Sequence, residues 1–348
     1  MPSTTGIWLR REASATEQRT PLVPRDAAKL VADGVPVTVE ESGHRAFPIE
    51  EYAAAGCRVA PGDSWPQAPA DQVVLGLKEP SAAAAPLTHR HVFFGHAYKG
   101  QEGGPALLDR FAAGGGTLLD LEYLTDDSGR RVVAFGHWAG YVGAALAVLH
   151  HRGALDVPLT SGPRDELDAR LARGRGDGTR ALVIGALGRS GRGAVEALRT
   201  AGAEVTAWDL AETRTLDKAA LLDHDLLVNT VFADTPGTPF LTTEDLLRGD
   251  RRLSVVSDVT CDVTSDCNRL PVYDRVTDWA EPVRRLTDAP PLDLIAVDNL
   301  PSLLPRESST DFSGGLLPHL AVLPAGDPVW TRSEEHFRRA THRPTSQN

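Results

Sequence analysis

Two groups of residues in this 348-residue chain have the types and spacing to do chemistry. The first is the turn Gly185-Ala186-Leu187-Gly188-Arg189-Ser190-Gly191, which follows the apolar run Ala181-Leu182-Val183-Ile184. A glycine turn of this kind lets backbone N–H groups approach a pyrophosphate. The segment from Arg189 to Leu198 can open a helix whose N-terminal amides face that anion. Ala203 to Trp208 then reads as a second strand, with Asp209 at its carboxyl end. A carboxylate there accepts hydrogen bonds from ribose hydroxyls and repels a 2′-phosphate, so the expected cofactor is NAD rather than NADP. The glycines fall as GxxGxxG, not GxGxxG. The assignment therefore rests on strand, turn, helix, strand and terminal Asp taken together; a tight turn in a non-nucleotide α/β domain is the bland alternative.

The second group is Lys78 and His96. Lys78-Glu79-Pro80 follows the apolar run Gln72 to Leu77, and His96-Ala97-Tyr98-Lys99-Gly100-Gln101 follows Val92-Phe93-Phe94. A third polar loop, Arg10-Arg11-Glu12 through Glu17-Gln18-Arg19-Thr20-Pro21, follows the strand Gly6 to Leu9. Ligands of open α/β sheets bind beyond the carboxyl ends of the strands, so Lys78 and His96 are expected to point at one place. A lysine partly desolvated near other cations gives up its proton more readily and can act as a base near neutrality. A histidine is the natural second acid–base group. Arg19, Arg130 and Arg131 offer guanidinium forks that match carboxylates. Arg130-Arg131 also reads as a charged turn after Asp126-Asp127-Ser128-Gly129, and Glu79 and Glu122 either tune the acid–base pair or cap loops.

The elements that must position these groups alternate strand and helix, which predicts an α/β fold with parallel sheets and helices on both faces. In the first third, strands are expected at residues 6–9, 37–40, 72–77, 92–94 and 117–120, with helices at 25–33, 49–55 and 105–113. Phe135 to His151 reads as a helix with one small face at Gly136, Gly140 and Gly143, crossing between two domains. Arg152 to Arg180 is a solvated linker around a short helix at 166–173. Further strands follow at 226–229 and 254–256, and Leu294 to Val297 is expected to close the sheet. Two amphipathic helical stretches lie between Thr310 and His342. The expected division is residues 1–133 plus about 306–348 as a catalytic Rossmann-like domain, and 134–305 as the NAD-binding domain.

The length suits about two domains. Lys and Arg total 36 against 47 Asp and Glu, an acidic balance that argues against nucleic acid as a partner. No apolar run approaches a membrane helix, and Met1 to Ser14 lacks the core of a secretory signal. Cys57, Cys261 and Cys267 show neither a CxxC nor a partnering histidine spacing, so no metal and no disulfide framework is expected. These features point to a cytoplasmic protein working on small molecules.

The segments Glu12 with Glu17 to Pro24, Gly76-Leu77-Lys78-Glu79 and His96-Ala97-Tyr98-Lys99 resemble the alanine dehydrogenase and transhydrogenase superfamily. Four further stretches are more selective: Gly129 to Gly136, Gly185 to Arg189, Ser257-Asp258-Val259 with Asp262, and Leu300-Pro301-Ser302-Leu303-Leu304-Pro305-Arg306-Glu307. These resemble the NAD-dependent, lysine-forming saccharopine dehydrogenase family, over about residues 7 to 335. The resemblance implies two Rossmann-like domains with the active site in a cleft between them. It also implies the conversion of saccharopine, NAD and water to lysine, 2-oxoglutarate and NADH.

On this chain the resemblance would make Lys78 the base at the secondary amine and His96 the group handling protons as water adds and the carbinolamine collapses. Arg19, Lys99, Gln101, Arg131, Glu79 and Glu122 would meet the substrate. Arg130, Phe135, Gly185, Gly188, Arg189, Gly191, Asp209, Thr213, Phe232, Val259, Asp262, Asp298 and Leu300 would line the NAD site. Ser14, His137-Trp138, Ser190 and Asn299 depart from the family pattern, the last in place of a histidine. An alanine-type dehydrogenase, an opine-type relative using another amine, and a catalytically silent NAD-binding module are the competing readings. Family members are often monomers, which is the expectation here.

Overall fold

The computed structural model describes residues 5–81, 86–101, 103–233, 235–323 and 326–341. Its internal contacts divide the chain into two units, residues 1–134 with 308–348, and residues 135–307. Each is an α/β unit built on a six-stranded sheet.

The strands of the first unit are β1 (Ile7–Leu9), β2 (Val37–Glu40), β3 (Arg58–Ala60), β4 (Val73–Leu75), β5 (Arg90–Phe93) and β6 (Thr117–Asp120). They lie in the order β3-β2-β1-β4-β5-β6, all parallel. The runs Ile7-Trp8-Leu9 and Val73-Val74-Leu75 are buried throughout, as central parallel strands covered on both faces must be. Helices α1 (Pro24–Ala32), α2 (Ile49–Ala54) and α3 (Gly104–Gly114) connect them. The chain steps outward from β1 to β2 and β3, then returns to β4 on the other side. The β1/β4 junction is therefore the topological switch point, where open α/β sheets take their ligands.

Strands β7 (Arg180–Ile184), β8 (Glu204–Trp208), β9 (Leu226–Asn229), β10 (Val255–Asp258), β11 (Arg284–Asp288) and β12 (Pro291–Ile295) make the second sheet, in the order β11-β12-β10-β9-β7-β8. Its helices are α4 (Gly136–His151), α5 (Arg164–Ala172), α6 (Arg189–Thr200) and the short α7 (Leu210–Thr213), α8 (Lys218–Leu222) and α9 (Thr243–Leu246). Helix α10 (Pro305–Val322) starts at the boundary between units, and α11 (Pro328–Thr341) packs on β6 of the first. Ser309 and Ser313 of α10 accept hydrogen bonds from the Thr20 and Val23 amides (2.9 and 3.0 Å), which fixes the loop after β1.

Three expectations need correction. Leu294 to Val297 does not close the second sheet; β11 lies outside β12 and runs antiparallel to it. Arg284-Arg285-Leu286-Thr287-Asp288 lacks the apolar run of a buried strand because it is a charged edge, and Arg285 pairs with Asp293 across the ladder. The short β3 also went unread. The segment read as crossing between domains is the central helix of the second unit, buried almost all round from Val142 to Leu149. The end of the last helical stretch, at His342, lies outside the described residues.

The small face of α4 is explained by its contact with α6. A Cβ at Gly140 would fall inside the Ser190 carbonyl, and one at Gly193 would meet that of His137. Backbone thus lies against backbone, and neither side can give way as a flexible side chain would. Gly140→Ala is expected to lower stability by about 2–3 kcal/mol through overpacking, read as a lower urea midpoint at unchanged slope.

Candidate functional site

Lys78 leaves the first sheet at its switch point. Gly76 N–H donates to Val92 O (2.9 Å) and Phe94 N–H to Leu77 O (3.0 Å). Lys78 and His96 therefore emerge from the same edge, one and two residues beyond a shared hydrogen bond. The Lys78 side chain is half-buried. Nearby in the loop after β1, Glu17 accepts from Arg19 Nε and Nη2 (2.8 and 2.6 Å), both side chains being buried. Burial pushes the Glu17 carboxyl up, but Arg19 and the Lys78 charge outweigh it and hold it below its usual range. The Arg19 fork expected to meet a substrate carboxylate thus already holds Glu17.

His96 is held at φ +47, a left-handed conformation that few side chains adopt without a constraint. Its ring stacks on Phe94 at 6.2 Å, and its Nδ1 lies 3.6 Å from Glu122 Oε2. Lys99 Nζ donates to Glu122 Oε1 (2.9 Å). His96 first and Lys99 second bring the Glu122 carboxyl down to about 2. Glu122 is thus an anion that is hydrogen-bonded to a lysine and faces the proposed acid–base histidine. Beside it Asp120, fully buried at the end of β6, accepts from the Gly95 and Glu122 amides (3.2 and 2.9 Å), and burial pushes its carboxyl up to about 6.

The other substrate candidates hold partners of their own. Gln101 accepts from the Lys99 amide (2.8 Å), and Glu79 pairs with Arg110 (2.8 Å). Arg131 sits in a short bridge with Thr125, and the largely exposed Arg130 pairs with Asp126 across a turn.

In the second unit the glycine turn has the shape a dinucleotide needs. Gly185 stands at φ +83, where a Cβ would also press on Thr230 Oγ1 at 2.7 Å. A Cβ at Gly191 would run into the Gly185 carbonyl. Gly188 caps the 12-residue helix α6, which starts directly after the glycine turn, and a helix N-terminus in that place favours an anion. Asp209 Oδ2 accepts from Leu187 N (3.0 Å) and Oδ1 from Leu210 N (2.9 Å), so the acid at the end of β8 is tied to the turn at the end of β7. Thr213 Oγ1 donates to the Asp209 carbonyl (2.9 Å).

Leu187, Leu210 and Phe232 are about 70% exposed (71%, 70% and 71%), all just beyond carboxyl ends of neighbouring strands. Large apolar side chains left open there suit the flat faces of a dinucleotide. Phe232 was expected in this role. Leu187 and Leu210 were not, because nothing in their spacing separates them from core leucines. These features fit NAD.

Phe135 lies just before α4, and the exposed Arg189 opens α6. Val259 donates its N–H to Asn229 O (3.0 Å), and Asp262 is half-buried in the same loop. Asp298 is exposed and accepts from Asn299 N (2.8 Å). Leu300 is 2% exposed, with its side chain near Gly143 in the core. Sequence reasoning gave no role to a buried network at the ends of β9 and β10. There Asp258 accepts from Tyr273 Oη (2.8 Å), Asn229 Nδ2 (3.1 Å) and Thr260. Among the described residues no cluster of metal-ligating side chains occurs, and no helix is long and apolar enough to cross a membrane.

Residues 8–142 match the family described as alanine dehydrogenase/PNT, N-terminal domain. Over 95% of its length the chain is 39% identical to the saccharopine dehydrogenase [NAD(+), L-lysine-forming] of Schizosaccharomyces pombe, covering 97% of that protein. The chain belongs to the saccharopine dehydrogenase family. The Neurospora crassa member is 41% identical over 96% of this chain and 95% of its own. Among solved structures, an L-alanine dehydrogenase superposes with a TM-score of 0.69 at 16% identity, covering 97% of this chain and 96% of its own. That likeness supports the fold, two Rossmann-like α/β units.

Proposed function

We propose that this protein is an NAD-dependent saccharopine dehydrogenase, converting saccharopine and water to L-lysine and 2-oxoglutarate. What carries the reading is one combination in a chain 39–41% identical to such enzymes over nearly its full length: Lys78 and His96 at adjacent strand ends, with a glycine turn tied to Asp209. With NAD bound, the glycine turn and the start of α6 would hold the pyrophosphate, Asp209 would hold the ribose, and Leu187, Leu210 and Phe232 would offer apolar contact. NAD, when bound, supplies the hydride acceptor.

Lys78 takes the proton from the secondary amine as the C–H bond beside that nitrogen is oxidised to an imine. His96, backed by the Glu122 anion, moves protons as water adds to the imine carbon and the C–N bond breaks, releasing the lysine amine and the 2-oxoglutarate carbonyl. Arg131 and Lys99 would meet the substrate carboxylates, while Arg19 stays committed to Glu17. In this reading the protein acts as a monomer in the cytoplasm on small molecules, and its acidic balance supports the lack of a nucleic-acid partner.

The test follows NADH at its absorbance band with saccharopine and, separately, with alanine; the reverse direction uses 2-oxoglutarate, NADH and a panel of amines. Saccharopine is expected to be oxidised, lysine to be the preferred amine, and alanine to be inert. Turnover of alanine alone overturns the assignment in favour of an alanine-type enzyme.

A further inference from the structure

The loop after β1 reaches across the switch point and grips the backbone of Lys78. Beyond Leu77 the β4 ladder has ended, and three polar groups of the backbone must find partners elsewhere: the N–H groups of Leu77 and Lys78 and the Lys78 carbonyl. Glu12 takes both amides, Oε1 from Leu77 N (2.7 Å) and Oε2 from Lys78 N (3.1 Å). Arg10 Nη2 donates to the Lys78 carbonyl. The two side chains also meet each other, Arg10 Nη1 to Glu12 Oε2 at 3.4 Å, and their exposures are 1% and 4%.

Further contacts lock this pair. Arg10 Nη1 donates to Arg11 O (2.9 Å), its guanidinium lies 5.9 Å from the Phe93 ring centre, and Arg45 Nη2 holds the Arg10 carbonyl (3.2 Å). A Cβ at Gly76 would fall inside the guanidinium, so the glycine two residues before Lys78 is the space that admits it.

A buried ion pair is a costly way to satisfy three backbone groups, because both charges give up their water. Its gain is placement: the Lys78 backbone is held at its N–H and at its carbonyl alike. We propose that Arg10 and Glu12 are positioning residues that act through the Lys78 backbone to set where its ammonium stands relative to the substrate nitrogen. This rests on the reading of Lys78 as the base, and it adds residues that touch neither substrate nor cofactor.

The experiment compares Glu12→Gln and Arg10→Lys with Lys78→Met in the full-length protein, with active sites counted by NADH fluorescence titration. Glutamine keeps the shape but can accept through one atom only, turning an N–H toward a backbone N–H. Per NADH-binding site, kcat with saccharopine is expected to fall about ten- to hundredfold, as for a misplaced catalytic group. NADH affinity should stay within about twofold. The limb of the pH profile that disappears in Lys78→Met should move in Glu12→Gln, a change that loss of stability alone does not produce.

The outcomes separate. If Lys78→Met keeps full turnover, the base assignment itself fails. If Lys78→Met is inactive while Glu12→Gln and Arg10→Lys keep wild-type kcat and pH profile per site, the positioning proposal fails and the base assignment stands. If both variants lose the fold or only melt earlier, the pair serves the fold alone, and the proposal is likewise overturned.

Discussion

Lys78→Met is expected to lower turnover of saccharopine about a thousandfold, the middle of the range for loss of a positioned general base. Methionine matches the lysine side chain in length and flexibility, so the half-buried space beside the β1 loop stays filled and only the proton acceptor is lost. The glycine turn and Asp209 belong to the other compact unit, so NADH binding by fluorescence should be nearly unchanged. Added primary amines of small volume should restore part of the rate, since they supply the missing base from solution. A variant that kept full activity would mean that the proton leaves the secondary amine by another route, with His96 as the next candidate. Because Glu17 is held below its usual range partly by the Lys78 charge, its carboxyl should also titrate closer to an ordinary glutamate in the variant, a change visible by carbon NMR.

The fold class could be read because its signals are local. Runs such as Val73-Val74-Leu75 and Ala181 to Ile184 are too short and too uniformly apolar for a surface element, and they recur between helical stretches. The strand–turn–helix–strand order around Gly185 left little freedom for the nucleotide turn. What failed to show was structure whose residues carry no periodicity. Strand β11 is charged because it is an edge, and α7, α8 and α9, of four or five residues each, are held by the side chains of Asp209, Asp217 and Thr242 at their N-caps rather than by an apolar stripe.

The same limit governs the functional groups. Lys78 and His96 stood out because each follows a buried strand. Arg10 and Glu12 were visible as members of a polar loop, but their partner is the backbone sixty-odd residues later, and no spacing along the chain encodes that contact. Leu300 belongs to a selective motif, and its side chain lies in the core around α4. The motif marks a backbone path, Asn299 at φ +62 leading into a buried turn, more than a set of exposed side chains.

Asp209→Ala tests the other half of the chemistry, and its effect should appear in the cofactor rather than in the substrate. The carboxylate lies at the end of β8 with one oxygen on the Leu187 amide of the glycine loop and the other on the Leu210 amide at the start of α7. Removing it takes away a charged acceptor for the ribose hydroxyls, a loss of about 1.5–3 kcal/mol, or roughly ten- to hundredfold in KM for NAD. It also removes the repulsion that a 2′-phosphate would meet, so activity with NADP should rise while activity with NAD falls. The N-cap of α7 is lost as well, at a cost of about 1 kcal/mol in stability. Asp209→Asn separates the two effects, because the amide oxygen can still cap α7 but carries no charge against the phosphate. The asparagine variant should therefore melt near the wild type and still accept NADP more readily. If selectivity stays unchanged in both variants, the ribose is held elsewhere and Asp209 serves only to tie the turn to the strand.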